Sequence, residues 1–185
     1  MTIVFLDRDG VINENKEDYV RTIDEFIPIP GAIDAIASLS GSGISIAIIS
    51  NQAGVGRGLI DPDELIRIDN RMMQLIEEGG GNVAGTYYCT HRKEEGCSCR
   101  KPETGLLIQA CKEIGADNGS KYLVGDAKSD MDAGKSMGCR TVFVLSGRTP
   151  VSEMESWNSR PDHVAADLRA AAEWILYDIH HRDRV

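Results

Sequence analysis

Two aspartates spaced two residues apart follow directly on a short apolar run near the start of the chain. The run is Ile3–Leu6, and Asp7, Arg8, Asp9 and Gly10 come next. We expect a buried strand that delivers both carboxylates at its carboxyl end, where open α/β sheets bind ligands. Such a pair can bind a divalent cation, supply a nucleophile and exchange a proton with a reacting group. An Asp-rich turn after a strand is also found as a solvated loop or a helix cap.

Three further segments place reactive side chains next to predicted elements. Ser50 and Asn51 end a second apolar run, Lys101 opens a helix, and Asp126 ends another apolar run with Asp130 four residues later. In chain order the four segments read Asp-x-Asp-Gly, Ser-Asn, Lys-Pro and Gly-Asp-x-x-x-Asp. This order resembles the haloacid-dehalogenase (HAD) superfamily of phosphotransferases over about the whole chain.

The resemblance implies a role for each of these side chains in phosphoryl transfer. Asp7 would attack phosphorus and become an aspartyl phosphate, while Asp9 would protonate the leaving alcohol and later deprotonate the hydrolytic water. The Ser50 hydroxyl would donate to phosphoryl oxygens, and Lys101 would pair with the phosphoryl group and with Asp7. These cationic and polar groups offset the charge that would otherwise keep a carboxylate away from a phosphomonoester.

The same resemblance implies a magnesium site. Asp7, the backbone carbonyl of Asp9 and Asp126 would hold Mg²⁺, a hard cation that prefers carboxylate, phosphate and water oxygens. Asp130, just inside the next helix, would either support this site or cap the helix N-terminus. The sequence leaves both roles open.

A short cysteine-rich loop, residues 89–99, carries the second motif. Cys89 and His91 form a Cys-x-His pair, and Cys97 and Cys99 form a Cys-x-Cys pair. Four such ligands can surround one tetrahedral Zn²⁺, and a site with four protein ligands is structural because no position stays open for substrate. The alternative is a loop of free thiols in a reducing cytosol. A zinc-pinned loop would fix the position of Lys101.

Composition limits the classes of function. The chain has 185 residues, 42% of them hydrophobic, which suits one domain over residues 1–185. Its formal net charge of −9, without a basic stretch, argues against nucleic-acid binding. No apolar run reaches the ~18 residues of a membrane span, and the N-terminus lacks the pattern of a signal peptide. We expect a cytoplasmic monomer that acts on a small molecule.

Strand and helix patterns alternate along the chain, which predicts an α/β fold with a doubly wound parallel sheet. Only 42 residues lie between Asp7 and Ser50. That interval leaves no room for the extra cap domain of many HAD proteins, so we expect an open site closed by loops. The predicted strands are Ile3–Leu6, Ile44–Ile49, Val83–Tyr88, Lys121–Val124, Arg140–Leu145 and a weaker His163–Val164. The predicted helices are Gly31–Leu39, Pro62–Glu78, Thr104–Ile114, Ser129–Met137 and Leu168–Tyr177.

The zinc loop narrows the resemblance to a compact, capless branch of the superfamily. This branch contains the D-glycero-D-manno-heptose 1,7-bisphosphate phosphatases, of surface-sugar pathways such as that of lipopolysaccharide, and the histidinol-phosphate phosphatases. The loop after Ser50, which reads Asn-Gln-Ala-Gly-Val-Gly-Arg-Gly, looks more like the heptose enzymes. A bisphosphate has a second phosphate that arginines bind well. The resemblance therefore implies these substrate-binding residues: Arg57 and Arg100 for the distal phosphate, and Tyr19, Asn51 and Gln52 for the sugar.

Three interpretations stay open at this point. The first is a heptose bisphosphate phosphatase, the second a histidinol-phosphate phosphatase, and the third a non-enzymatic, zinc-stabilised phosphosugar-binding module. The complete set of Asp7, Asp9, Lys101 and Asp126 argues against the third, because a sensor needs neither a nucleophile nor a proton donor. Relatives often have lysine directly after the metal-binding aspartate, whereas this chain has Ala127 there.

Overall fold

The described part of the protein, residues 1–182 of a computed structural model, is built on a parallel sheet. Residues 183–185, the end of the predicted domain, lie outside it. Within these residues the sheet has six strands in the order β3-β2-β1-β4-β5-β6, so the strand that precedes the aspartate pair is central. The strands are β1 (Ile3–Leu6), β2 (Ser45–Asn51), β3 (Gly85–Cys89), β4 (Lys121–Gly125), β5 (Arg140–Val144) and β6 (His163–Ala165).

Helices cover both faces of the sheet. They are α1 (Ala32–Gly41), the single-turn α2 (Ala53–Gly56), α3 (Pro62–Glu78), α4 (Gly105–Ile114), α5 (Lys128–Ser136) and α6 (Leu168–Arg182). Short 3₁₀ helices occupy Ile23–Glu25, Lys93–Glu95 and Val151–Ser156. The predicted α/β class with a doubly wound parallel sheet is confirmed.

The central strand shows why both faces are covered. All four residues of β1 are fully buried, with Val4 and Leu6 in one apolar cluster and Ile3 and Phe5 in the other. Successive strand residues point to opposite faces, so a strand that is apolar at every position must be packed on both sides. α1, α3 and α6 cover the first face, and α4 and α5 cover the second.

Helix α3 begins where its capping residues predict. Asp61 accepts a hydrogen bond of 2.8 Å from the backbone N–H of Asp63, and Pro62 occupies the first turn. Each feature favours a helix N-terminus, because the first N–H groups lack partners within the helix. The helix then packs against the sheet through Leu65, Ile68, Met72 and Ile76.

The connections at the carboxyl edge of the sheet are loops rather than a further domain within residues 1–182. The segment between β1 and α1 folds back on itself through bridges of Asn13 with Asp9 and with Pro28. Gly10, at φ +82°, permits the turn that brings this segment over the strand end. None of the helices in the described part of the chain is long and apolar enough to cross a membrane.

Candidate active site and metal centres

A cavity of about 290 Å³ lies at the carboxyl ends of β1, β2 and β4. This is the edge of a parallel sheet at which the loops converge and ligands bind. Its walls bring together predicted side chains from four separate segments of the chain. They include Asp7, Asp9, Tyr19, Ser50, Asn51, Lys101, Asp126 and Asp130.

Asp7 and Lys101 form the centre of this cavity. The Lys101 ammonium lies 3.1 Å from Asp7 Oδ1 and 2.6 Å from Asp130 Oδ1. Asp7 Oδ1 also accepts from the backbone N–H of Arg8 at 2.8 Å. Oδ2 of Asp7 accepts no hydrogen bond from any residue in the range 1–182, so it is the oxygen free to act as a ligand or nucleophile.

Lys101 is buried and held from two directions. Its ammonium donates to the Ile49 carbonyl at 2.6 Å, and its backbone exchanges two hydrogen bonds with the Asn51 side chain, at 3.0 and 3.1 Å. Burial alone would lower the pKa of Lys101, but the carboxylates of Asp130 and Asp7 raise it above the usual value. The side chain is therefore a fixed cation beside the Asp7 carboxylate.

Asp9 has a different environment, made of hydrogen-bond donors. It accepts from Arg8 Nη2 at 3.0 and 2.9 Å, from Asn13 at 2.9 Å and from Gln52 at 2.7 Å. Burial favours a higher pKa for Asp9, but Arg8 and the hydrogen bonds from Asn13 and Gln52 outweigh it and hold the pKa below its usual value. The two aspartates of the motif thus have distinct partners.

Three carboxylates converge near the cavity floor. One oxygen from each of Asp7, Asp126 and Asp130 lies within 4.8 Å of the other two. Burial, followed by the charges of Asp7 and Asp130, raises the pKa of Asp126 to about 7. Burial likewise raises the pKa of Asp130 to about 6. A concentrated, buried negative charge with oxygen donors fits a divalent cation such as Mg²⁺.

The loops around Asp126 are packed closely enough to require glycine. A Cβ added to Gly10 would lie 2.6 Å from Asp126 Oδ2, and one added to Gly147 would lie 2.0 Å from it. That oxygen also accepts from Asn15 at 3.3 Å and from the backbone N–H of Arg148 at 3.2 Å. The loops after β1 and β5 therefore fix the orientation of this carboxylate.

Asp130 caps a helix, one of the two roles that the sequence left open, and also lies among the charged groups of the cavity. Its Oδ2 accepts from the Ala127 N–H at 3.0 Å, which caps the N-terminus of α5, while Oδ1 pairs with Lys101. The side chain is 1% exposed and belongs to the carboxylate cluster. Asp130 thus holds both the N-terminus of α5 and the Lys101 ammonium in place.

The cysteine-rich loop forms a second compact cluster. The Sγ atoms of Cys89, Cys97 and Cys99 are 3.1 to 3.6 Å apart, and His91 Nδ1 lies 3.1 Å from Cys99 and 3.7 Å from Cys89. Ligands of a tetrahedral zinc with Zn–S bonds of about 2.3 Å lie about 3.8 Å apart. The spacing and chemistry of the four donors fit one structural Zn²⁺.

The five predicted substrate residues occupy different positions. Tyr19 lines the catalytic cavity at φ +71°, the one non-glycine residue with positive φ in the described range. Asn51 faces the cavity and braces Lys101, whereas Gln52 is fully buried and bonds Asp9 and Ser50. Arg57 is exposed at the end of α2 and lines neither this cavity nor the one beside it.

Arg100 lines the adjacent cavity, of about 410 Å³. Lys93 contributes a second cation there, while Asn51, Lys101 and Ser129 are shared with the catalytic cavity. Nη1 of Arg100 is buried and finds no hydrogen-bond partner among residues 1–182. The two cavities therefore adjoin each other, and the second one contains two cations, Arg100 and Lys93, and one carboxylate, Glu103.

Sequence reasoning missed Lys16 and Arg148, which also line the catalytic cavity. Arg148 reaches across the site, since its Nη1 donates to the Lys16 carbonyl at 2.9 Å. Arg148 follows β5, so the rule that ligand sites gather at strand carboxyl ends could have indicated it. Lys16 lies in a long irregular segment, where no sequence pattern signals its orientation.

The fold and the site together define a HAD-like hydrolase. A family model described as HAD-hydrolase-like matches residues 98–171, which include Lys101, Asp126 and Asp130. The D-glycero-beta-D-manno-heptose-1,7-bisphosphate 7-phosphatase of Pseudomonas aeruginosa is 42% identical over 147 residues, which cover 80% of this chain and 83% of the relative. The protein of the same name from Neisseria meningitidis is 33% identical and covers 88% of this chain and 87% of its own length.

A solved structure agrees with these relatives. The D,D-heptose 1,7-bisphosphate phosphatase of Bordetella bronchiseptica, complexed with magnesium and phosphate, matches with a TM-score of 0.88 and 32% identity, over 96% of this chain and 99% of that one. The chain belongs to the HAD-like phosphatase family that contains these heptose bisphosphate phosphatases. It is therefore a phosphomonoesterase by family, as the sequence predicts.

Proposed function

We propose that this protein removes the 7-phosphate of D-glycero-beta-D-manno-heptose 1,7-bisphosphate in a Mg²⁺-dependent reaction. The observation that carries the proposal is Asp7 beside a fixed lysine, with Asp9 two residues away and a metal-binding carboxylate cluster behind them. The proposed substrate and its beta anomer are those in the names of the relatives, which are 32 to 42% identical over most of the chain.

In the first half of the reaction, an oxygen of Asp7 attacks phosphorus. The bond between phosphorus and the sugar oxygen breaks as the new bond to Asp7 forms, and Asp9 donates a proton to the leaving oxygen. Lys101 and the Ser50 hydroxyl stabilise the charge on the phosphoryl oxygens. Oδ2 of Asp7 is the attacking candidate, because Oδ1 already accepts from Lys101 and from the Arg8 N–H.

In the second half, water attacks the aspartyl phosphate. A new bond forms between phosphorus and the water oxygen, the bond to Asp7 breaks, and the water proton passes to Asp9. Asp7 returns to its free carboxylate and inorganic phosphate leaves. The donors around Asp9 favour its anionic form, which is the form that accepts this proton.

We assign Asp7, Asp126 and the backbone carbonyl of Asp9 to Mg²⁺, with Asp130 supporting them. When bound, the cation offsets the negative charge of the phosphoryl group and the nucleophile. The buried carboxylate cluster supports this assignment, because its mutual repulsion is relieved by a divalent cation. Cys89, His91, Cys97 and Cys99 are assigned to a structural Zn²⁺.

For the distal phosphate we propose the cavity lined by Arg100 and Lys93. It adjoins the catalytic cavity and shares Lys101 with it, so one substrate can extend into both. Arginine suits this role, because its planar donors bind phosphate bidentately. Tyr19 and Asn51 would contact the sugar between the phosphates.

We also propose that residues 1–185 act as one domain, as a monomer in the cytoplasm. The short edge strands β3 and β6 offer few backbone groups for pairing with a second copy, and the charge of −9 opposes self-association. A cluster of metal-binding thiols requires reduced cysteines, which the cytosol maintains.

The test is phosphate release with Mg²⁺ across four substrates: both heptose bisphosphate anomers, histidinol phosphate and fructose 1,6-bisphosphate. We expect the highest kcat/KM for the beta heptose bisphosphate. A higher kcat/KM for histidinol phosphate than for both heptose anomers would contradict the proposed substrate. No phosphate release from any of the four would contradict the enzymatic function itself.

A further inference from the structure

Arg8, the residue between the two catalytic aspartates, is the largest fully buried side chain of the described protein. Its Nη2 lies 3.0 and 2.9 Å from the two carboxylate oxygens of Asp9. Nε and Nη1 are buried and have no hydrogen-bond partner in the range 1–182. All of the hydrogen bonding of this guanidinium to other side chains is thus directed at one carboxylate.

The opposite side of the guanidinium is closed by an aromatic ring. Arg8 Cζ lies 5.9 Å from the centroid of the Tyr88 ring, and the Tyr88 hydroxyl donates to Asp69 of α3 at 2.5 Å. A cation at this distance from a ring is attracted to its face. β3 and α3 therefore hold Arg8 in place beneath the catalytic aspartate.

Packing alone does not account for an arginine at this position. A buried guanidinium that is only partly hydrogen-bonded is costly, and an apolar side chain of similar volume often replaces a buried ion pair without loss of stability. The positive charge of Arg8 lies instead directly beside Asp9, whose carboxylate must have a defined orientation during the reaction. Asp9 receives only donors, from Arg8, Asn13 and Gln52.

We infer that Arg8 is a positioning residue, which holds the Asp9 carboxylate in the orientation that accepts the proton of the hydrolytic water. This inference rests on the proposed phosphatase function. During hydrolysis of the aspartyl phosphate, the water oxygen bonds to phosphorus, the bond to Asp7 breaks, and the proton goes to the Asp9 oxygen that Arg8 has oriented. The step that depends most on Arg8 is therefore the second one.

The experiment compares the wild-type protein with Arg8→Met and Arg8→Lys on two substrates that form the same aspartyl phosphate. One is the heptose bisphosphate, and the other is acetyl phosphate, whose acetate leaving group needs no proton. With Mg²⁺ present, we expect Arg8→Met to lower kcat for both substrates by about 10- to 100-fold, part of the effect of a complete acid or base. In Arg8→Met the two substrates should have the same kcat, because hydrolysis of the shared aspartyl phosphate then limits the rate for each.

Two further readouts separate positioning from structure. For acetyl phosphate, kcat/KM should stay within about three-fold of wild type, because it reports the first irreversible step. Mass spectrometry of quenched Arg8→Met should detect phosphate on Asp7 at steady state. Arg8→Lys, which retains one cationic donor, should recover part of kcat.

The control is Arg140→Met at the opposite end of the sheet. Arg140 also lies over an aromatic ring, 4.9 Å from the centroid of Trp174, and pairs with a carboxylate, Asp178, at 3.3 Å. Its replacement should lower thermal stability and leave kcat unchanged. If Arg8→Met lowers kcat and kcat/KM in equal proportion without phosphate on Asp7, or leaves kcat unchanged, the inference is wrong. If the wild type hydrolyses neither substrate, the proposed function fails, and the inference fails with it.

Discussion

The two aspartates of the motif differ because their neighbours differ. Asp7 faces a lysine and two other carboxylates, whereas Asp9 faces an arginine and two amides. These different surroundings suit the separate roles that we propose for two identical side chains, a charged nucleophile for Asp7 and a proton acceptor for Asp9. The family resemblance implied this division, but the sequence did not reveal the partners behind it, since Gln52 and Asn13 carry no signal that they point at Asp9.

The nucleophile is tested by Asp7→Asn. The amide keeps the shape of the side chain but removes the attacking charge and one metal ligand, so phosphate release should fall to background while the circular dichroism spectrum stays that of the wild type. Asp117→Asn, an exposed aspartate before β4, is the control and should leave turnover unchanged. Substantial Mg²⁺-dependent turnover by Asp7→Asn would exclude an aspartyl phosphate at this residue.

The distal phosphate is tested by a pair of arginine variants. Arg100→Ala should raise KM for the heptose bisphosphate by about 10- to 150-fold, the equivalent of a lost charge-assisted bond of ~1.5–3 kcal/mol. Arg57→Ala should change it by less than about three-fold, because Arg57 is exposed and lines neither cavity. The reverse order of effects, measured by initial rates, would place the distal phosphate at Arg57 instead.

At the scale of elements, the bounds of strands and helices with a clear apolar pattern were predicted well, whereas features set by contacts between distant segments or by very short turns were not. Strands β1, β4 and β5 and helix α3 lie within one residue of their predicted bounds. β2 runs two residues further, to Asn51, because Ser50 and Asn51 still pair with Tyr88 and Cys89 of β3. The one-turn helix α2 was missed, since its four residues include two glycines and show no helical period.

The zinc loop is an element whose stability depends on four ligands. Cys97→Ser should release the metal, so metal analysis should find about one Zn²⁺ per wild-type chain and none in the variant. The melting temperature should fall, and kcat with it, because Cys99 is two residues from Lys101. The control is Cys111→Ala, which replaces a buried cysteine of α4 outside the zinc loop, and this variant should retain one Zn²⁺ per chain. An equal zinc content and melting temperature in Cys97→Ser would contradict a zinc site.

Asp162 joins three elements and gives a pH-dependent prediction. Its Oδ2 accepts from the Thr141 N–H at 2.7 Å and lies 2.7 Å from the Lys135 ammonium. Burial would raise the pKa of Asp162, but the bonds from Lys135 and Thr141 outweigh it and lower the pKa below 3.8. The stabilisation is therefore complete above pH 3.8 and is lost as the pH falls through the lowered pKa.

We accordingly expect Asp162→Asn to lower the free energy of unfolding by ~1–3 kcal/mol at neutral pH. Urea unfolding of both proteins should give a constant difference down to about pH 5, and a smaller one at about pH 3. A difference that grows on acidification would mean that the pKa of Asp162 is raised rather than lowered.

For the whole molecule, the sheet order could not be obtained from residue patterns alone. Alternation of strands and helices predicts a parallel sheet, but several strand orders satisfy it, and the pattern does not single out the order with β1 at the centre. The central position matters because loops from both halves of the sheet then meet over Asp7. It also leaves β3 and β6 as the two edges.

The two edge strands support the prediction that the protein is a monomer. β6 has three residues and β3 has five, and short edges discourage pairing between sheets of two molecules. Light scattering in solution should therefore give a mass close to 20.2 kDa. A mass of twice that value, unchanged on dilution, would show that a surface outside the sheet edges joins two chains.

The pairing of β1 with β4 has a consequence for the order of events in folding. Ile3 pairs with Lys121, so the two strands that carry Asp7 and Asp126 are separated by most of the chain. Contacts so distant in sequence form slowly, because loop closure precedes the gain from pairing. On refolding, helical circular dichroism should recover before phosphatase activity. During synthesis, no chain shorter than about 130 residues can yet hold the complete carboxylate cluster, since Asp130 belongs to it.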